Sequence, residues 1–347
     1  MRGAGTAAVA GGAERHPPRI RDPAAVAGAA RLRAPARRRD PAAVAGRVRL
    51  RRPLRVPDSA AMTVAPEEVR RRPVGVFDSG VGGLTVLHEL LVRLPHEDYV
   101  YLADSARLPY GSRPPAQLRA FALEVVEELL ARRIKLLVVA CNSATAAALP
   151  ALRERLMQTT LGVEVLGVVQ PAAVQAVAAT RRGKVGVLGT PATVATGAYA
   201  EAIAAIDPFV EVVSVPCGDL AMRIEAATID DPLVEQVRGY CAPIREAGVD
   251  TVILGCTHYP LVRPIIQRML GPETAIVTSG APLARQVEHV LGTRGLDSPA
   301  GGEGAYGFLC TGEPAPFKAQ GTRFLQLPLR AVERVRLGAA VDGAVAA

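Results

Sequence analysis

KLLVVACNSATAAALP occupies residues 135–150, and its reading decides the fold. Leu136 to Ala140 form an unbroken apolar run, which suits a strand covered on both faces rather than one with a wet face. The run stops at Cys141, and Asn142 and Ser143 open an Ala-rich stretch with high helix propensity. A second copy follows at an offset of 115: DTVILGCTHYPLVRP at 250–264, again with a cysteine, Cys256, where the strand stops.

Further out, VGVFDSGVGGLTV at 74–86 is similar to VGVLGTPATVATG at 185–197, at an offset of 111. Other strands are predicted at 99–102, 163–168 and 210–215, with helical periodicity between them, as in Leu84, Leu87, Leu90, Leu91 and Leu94. Apolar strands alternating with helices predict an α/β protein with mostly parallel sheets flanked by helices. The duplication predicts two similar lobes related by pseudo-two-fold symmetry with the active site between them. The expected boundaries are 74–165 plus 278–347 for the first lobe and 166–277 for the second. Ligands belong at the carboxyl ends of such strands, where both cysteines lie.

The chain has 347 residues and a formal charge of +8, but the charge is not spread evenly. Residues 1–73 hold 17 Arg and 6 acids, a net +11; the other 24 basic and 27 acidic groups leave the body at −3. The body is therefore mildly acidic, and the overall basicity says nothing about its function. The arm carries a near-repeat, RDPAAVAGAARLRAP at 21–35 and RDPAAVAGRVRLRRP at 39–53, with almost no large apolar side chains. That composition predicts a disordered arm over 1–73. An over-extended start of translation, with the natural start at Met62, is the favoured reading. Arg-rich composition also suits a transit peptide, although the repeated prolines break an amphipathic helix. No run approaches the ~18 apolar residues of a membrane span. Five cysteines without a CxxC pair exclude a disulfide scaffold and a standard zinc module, so no metal site is expected and reduced thiols in a cytoplasm are.

A cysteine at a strand end is usually a small buried hydrophobe. Two at matched positions in a duplicated body, each at a helix N-terminus and beside polar residues, point instead to chemistry, because that position favours a thiolate. Cys217, Cys241 and Cys310 have no matched partner and are read as structural. FDSGVGGLTV places Asp78 and Ser79 at a strand end, and Gly80, Gly82 and Gly83 let backbone approach a ligand. The dinucleotide pattern G-x-G-x-x-G fails at Thr85, so no nicotinamide cofactor is expected.

FDSGVGGLTV (77–86), Ala103 to Gly111, ACNSAT (140–145), GTPATV (189–194) and GCTHYPL (255–261) together resemble the glutamate racemase family from about Val74 to Arg330. Ser143 stands where the family usually has threonine. In CGDLAMRIE (217–225), Gly218 and Met222 replace family prolines while Glu225 is kept. The resemblance implies cofactor-independent racemisation of L- to D-glutamate by two bases, supplying D-glutamate for peptidoglycan. It implies that Cys256 deprotonates L-glutamate and Cys141 D-glutamate, with Asp78 and His258 adjusting thiol protonation and Glu225 as a further helper. Asp78, Ser79, Tyr110, Gly111, Asn142, Ser143, Thr190, Thr257 and His258 would bind the amino acid. It further implies a homodimer, in some relatives responsive to a cell-wall precursor. The chemical logic is that inverting an α-carbon requires a proton to leave one face and arrive at the other, which two opposed thiols can do. Lys135, Lys184 and Lys318 are not placed for a Schiff base.

Plainer roles exist for several of these residues. Tyr110 and Gly111 could form a turn after Pro109, Thr190 a helix cap, and Asp104 and Glu225 solvated surface acids. The nearest rival activity is that of an aspartate racemase, which generally lacks the CTHYP string. A rival from another class is a nucleic-acid-binding protein using the arm, whose 17 Arg but no Tyr, Phe or Trp fit only non-specific, salt-sensitive binding.

Overall fold

A computed structural model describes residues 65–159, 162–226 and 229–338; residues 1–64, which hold most of the Arg-rich arm, lie outside the described residues. Among the described residues, ten strands form two sheets. The first contains β1 (Val74–Asp78), β2 (Tyr99–Ala103), β3 (Leu136–Val139), β4 (Glu164–Gly167), β9 (Tyr306–Cys310) and β10 (Val332–Arg334), in the order β10-β9-β2-β1-β3-β4. The second contains β5 (Lys184–Gly189), β6 (Glu211–Pro216), β7 (Thr251–Gly255) and β8 (Ala275–Val277), in the order β6-β5-β7-β8. Every pairing is parallel. The order β2-β1-β3-β4 is thus repeated as β6-β5-β7-β8, so the internal similarity of the sequence is also a similarity of topology.

Side chains of the first sheet alternate between two cores, which is why its strands read as unbroken apolar runs. Val74, Val76, Leu136 and Val138 pack on one face; Phe77, Leu137 and Val139 pack on the other. In the second sheet Val252 and Leu254 of β7 face one core and Ile253 the other. Truncating one of these, as in Leu137→Ala, costs about 2–5 kcal/mol.

Helices follow the strands at the ends that build the site. Cys141 caps the Asn142–Met157 helix, its Sγ accepting from the Ala144 N–H at 3.5 Å. Thr190 caps the short Pro191–Ala195 helix, its Oγ1 accepting from the Thr193 N–H at 3.2 Å, with proline in the first helical position.

The structure differs from the sequence reading in two places. Residues 65–73, assigned to the arm by composition, are ordered and include a helix over Glu67–Arg70. Ala65 and Val69 pack against the first core, and buried Lys135, paired with Glu97 at 2.5 Å, donates from Nζ to the Arg70 carbonyl at 2.7 Å. Two apolar contacts and a buried cation in need of acceptors outweigh the Arg-rich composition here. Strands β8, β9 and β10 lie outside the strands predicted, and Cys310, read as structural, ends β9. Among the described residues, no helix is long and apolar enough to cross a membrane.

Candidate active site

The carboxyl ends of β1, β3, β5 and β7 meet around a cavity of about 300 Å³ whose wall includes Cys141 from the first lobe and Cys256 from the second. Each thiol is brought there by its strand, β3 or β7, and each is nearly buried. Ser79, Tyr110, Gly111, Asn142, Ser143, Thr190, Thr257 and His258 line the same cavity. Asp78 does not. It is fully buried behind Ser79, so the expected substrate contact is not the geometry found.

Asp78 is held by the glycine loop: its Oδ2 accepts from the N–H groups of Gly80 and Gly83, both at 3.0 Å. Its Oδ1 is buried without a partner, and burial raises its pKa against the opposing pull of His258 and these backbone donors. The glycines serve close packing rather than a phosphate. A Cβ on Gly82 would lie 2.5 Å from Cε1 of His258 and nearer still to Oγ1 of Thr257. The loop therefore presses directly on the CTHYP segment of the other lobe. A further link is the Thr85 hydroxyl, which donates to the Thr257 carbonyl at 3.0 Å.

The two thiols sit in unlike surroundings. Cys141 has the Ser79 hydroxyl at 3.8 Å and Asp78 nearby; burial first, then the Asp78 charge, push its pKa well above the ordinary thiol range. The neutral thiol is thus favoured there, in spite of the helix N-terminus. Sγ of Cys256 lies 3.8 Å from Nδ1 of His258, whose Nε2 lies 3.1 Å from Oε2 of Glu225. Burial works to lower the pKa of His258, but the hydrogen bonds to Cys256 and Glu225, with the charge of Asp78, raise it to about 10. A protonated His258 can then donate from Nδ1 to a Cys256 thiolate and from Nε2 to the Glu225 carboxylate.

Neither Glu225 nor Asp104 is the solvated surface acid that the sequence also allowed. Glu225 is buried at the end of the Leu220–Glu225 helix. Asp104 is fully buried and accepts from Arg107 Nε at 2.6 Å, from the Thr311 hydroxyl at 2.9 Å and from the Tyr110 hydroxyl. It therefore fixes Tyr110 in the wall. Across the cavity, Ser143 Oγ lies 2.9 Å from Thr190 Oγ1 and 3.2 Å from Thr193 Oγ1, with the two threonine hydroxyls 3.0 Å apart. This cluster of hydroxyls, beside the Pro191–Ala195 helix N-terminus, suits a carboxylate. Asn142 Oδ1 accepts from the Tyr199 hydroxyl at 2.6 Å and from the Ser279 hydroxyl at 3.3 Å, while its Nδ2 is buried without a partner.

Sequence reasoning missed Thr193, Tyr199 and Ser279, as well as Leu108, Asp219 and Ala221 in the wall. Gly218 and Met222 were singled out only as departures from the family pattern, yet both line the cavity. Lys135, Lys184 and Lys318 do not line it; they pair with Glu97, Glu211 and the Arg330 carbonyl. Among the described residues, no three His, Cys, Asp or Glu side chains gather as a metal site would require.

Residues 84–287 match the family model described as Asp/Glu/Hydantoin racemase. The chain is 47% identical over 259 residues to a glutamate racemase of Acidothermus cellulolyticus, covering 74% of this chain and 96% of that one. The crystal structure of a glutamate racemase isoform from Bacillus anthracis superposes with a TM-score of 0.73 at 36% identity, covering 77% of this chain and 98% of the other. That of a glutamate racemase from Francisella tularensis, in complex with D-glutamate, gives a TM-score of 0.71 at 30% identity over 77% and 98% of the two chains.

Proposed function

The chain belongs to the Asp/Glu/Hydantoin racemase family and within it to the glutamate racemases; on that premise we propose that Cys141 and Cys256 are the two bases that interconvert its glutamate enantiomers. One observation carries this reading: two thiols at the ends of topologically equivalent strands, one from each lobe, line a single cavity.

In the direction from L to D, a Cys256 thiolate, hydrogen bonded by His258, takes the α-proton. The electron pair of the broken C–H bond remains on the α-carbon, delocalised into the α-carboxylate. The Cys141 thiol delivers its proton to the opposite face and becomes the thiolate. The enzyme then stands ready for D-glutamate, and proton exchange with solvent restores the first state. The unlike surroundings of the two cysteines support this assignment, since two bases that begin in opposite protonation states need different neighbours. The hydroxyls of Ser143 and Thr190, backed by that of Thr193, and the Nδ2 of Asn142 are the donors proposed for the substrate carboxylates. Ser79, Tyr110, Gly111 and Thr257 complete the wall, and Asp78, Glu225 and His258 act through the thiols.

The same reading makes the protein a cytoplasmic homodimer that supplies D-glutamate to the cell wall, supported by the resemblance and by five unpaired cysteines. Incubation with L-glutamate in heavy water tests the reaction: D-glutamate carrying deuterium at the α-carbon is expected. Recovery of unlabelled L-glutamate alone would refute it.

A further inference from the structure

The Glu225–His258–Cys256 chain belongs to the second lobe, yet two adjacent residues of the first lobe touch it. They are Arg323 and Phe324, in the last turn of the Pro314–Leu325 helix. The Phe324 ring packs edge-on against the His258 ring, with centroids 5.2 Å apart and planes at 76°. Nη2 of Arg323 donates to the carbonyl of Ile224, the residue before Glu225, at 2.8 Å. A basic side chain in a last turn ordinarily serves the carbonyls of its own helix. This one instead reaches across to the last turn of the Leu220–Glu225 helix.

That short helix needs such support. It has only six residues, no side-chain cap at its start, and Glu225 as its final residue, so little within it fixes the direction of the Glu225 carboxylate. We propose that Arg323 is a positioning residue for the reaction: by holding the Ile224 carbonyl it aims Glu225 at Nε2 of His258, and so keeps His258 set to stabilise the Cys256 thiolate. The effect is confined to one base. Cys141, the cap of its own helix, is contacted by Ala144 and Ser79, which share no hydrogen bond with Arg323 among the described residues. The hydrogen bond also ties this relay to the apposition of the two lobes, because Arg323 and Glu225 approach each other only when the lobes do.

The proposal rests on the two-thiol reading above, so its test avoids turnover. The thiolate is the form that reacts with iodoacetamide, and the alkylation rates of Cys256 and Cys141 can be followed in one sample at neutral pH by peptide mass spectrometry. In Arg323→Gln, Cys256 should react about three- to tenfold more slowly, the factor that loss of one ordinary hydrogen bond converts to. Cys141 should keep its wild-type rate, and Arg323→Lys, which can still donate to the carbonyl, should restore much of the Cys256 rate. Arg323→Met, which keeps the packing of the stem, should behave as Arg323→Gln does. An unchanged Cys256 rate, equal slowing of both cysteines, or failure of both the Gln and Met variants to fold would overturn the proposal. Wild-type protein that leaves L-glutamate unaltered in heavy water would defeat the functional reading separately.

Discussion

Nε2 of His258 and Oε2 of Glu225 lie 3.1 Å apart, both buried, and the other nitrogen of the same ring faces Sγ of Cys256. Replacing Glu225 with Gln keeps the size of the side chain and removes the charge that favours the imidazolium. Loss of a charged hydrogen bond of about 1.5–3 kcal/mol predicts about a 10- to 150-fold lower kcat/KM. The loss must be equal for L- and D-glutamate, because the enantiomers have equal free energy in water and the equilibrium constant is fixed at one. His258, its pKa raised against burial by hydrogen bonds to Cys256 and then to Glu225, gives stability a pH dependence. The pKa of His258 is raised to about 10, so its contribution is complete below its unfolded pKa and is lost as pH climbs towards that value. Wild-type Tm should therefore fall between about pH 6.5 and 10 more steeply than that of Glu225→Gln. Parallel profiles, measured by calorimetry, would show that the pair is not ionised as described.

Gly82 should tolerate no side chain. Its added methyl would meet Thr257 and His258, so Gly82→Ala must move the CTHYP segment or open the lobes. Overpacking of this kind costs about 1–3 kcal/mol, and activity should fall further than stability because His258 is displaced. Steady-state kinetics beside thermal melting separates the two effects, and wild-type kinetics in this variant would contradict the packing argument.

The hydroxyl cluster predicts how glutamate is preferred over aspartate. Thr190→Val removes the cap of the Pro191–Ala195 helix, about 1 kcal/mol, and with it the hydroxyl proposed as a donor to the substrate. KM for glutamate should rise by about tenfold with a smaller change in kcat, the pattern of lost ground-state binding. Thr190→Ser keeps the hydroxyl and should stay near wild type. A KM for glutamate unchanged in the Val variant would remove Thr190 from the substrate contacts, and comparable kcat/KM for aspartate in the wild type would remove the preference itself.

Much of this was legible before the structure, and for physical reasons. Strands β1 to β7 are short, largely apolar runs because most are covered on both faces, and Cys141 and Cys256 stand out because the duplication repeats them. Strands β8 and β10 have three residues each, too few for any periodicity to register. Tyr199 and Ser279 hold Asn142 from 57 and 137 positions away, and nothing local marks either of them. Asp104 and Glu225 looked like ordinary acids because burial, unlike charge, cannot be read from a single residue. The ordered stretch 65–73 was hidden by its arginines.

That stretch sets the limit of tolerable truncation. A chain beginning at Met62 retains Ala65, Val69 and the Arg70 carbonyl and should racemise glutamate as the full chain does. A chain beginning at Val74 leaves Lys135 short of an acceptor at a cost of about 1–3 kcal/mol, beyond the lost packing of Ala65 and Val69. Its Tm should fall measurably below that of the Met62 chain; equal melting would show that the segment contributes nothing.

The central claim, one thiol for each face of the α-carbon, is tested most directly by α-proton exchange in heavy water with single cysteine-to-serine variants. A serine hydroxyl is too weak a base to take the α-proton, whereas the remaining cysteine can still remove and return a proton on its own face. Cys141→Ser should therefore incorporate deuterium into L-glutamate but not into D-glutamate, and Cys256→Ser into D-glutamate but not into L-glutamate, with racemisation largely lost in both. Equal exchange of the two enantiomers by either variant would contradict the assignment.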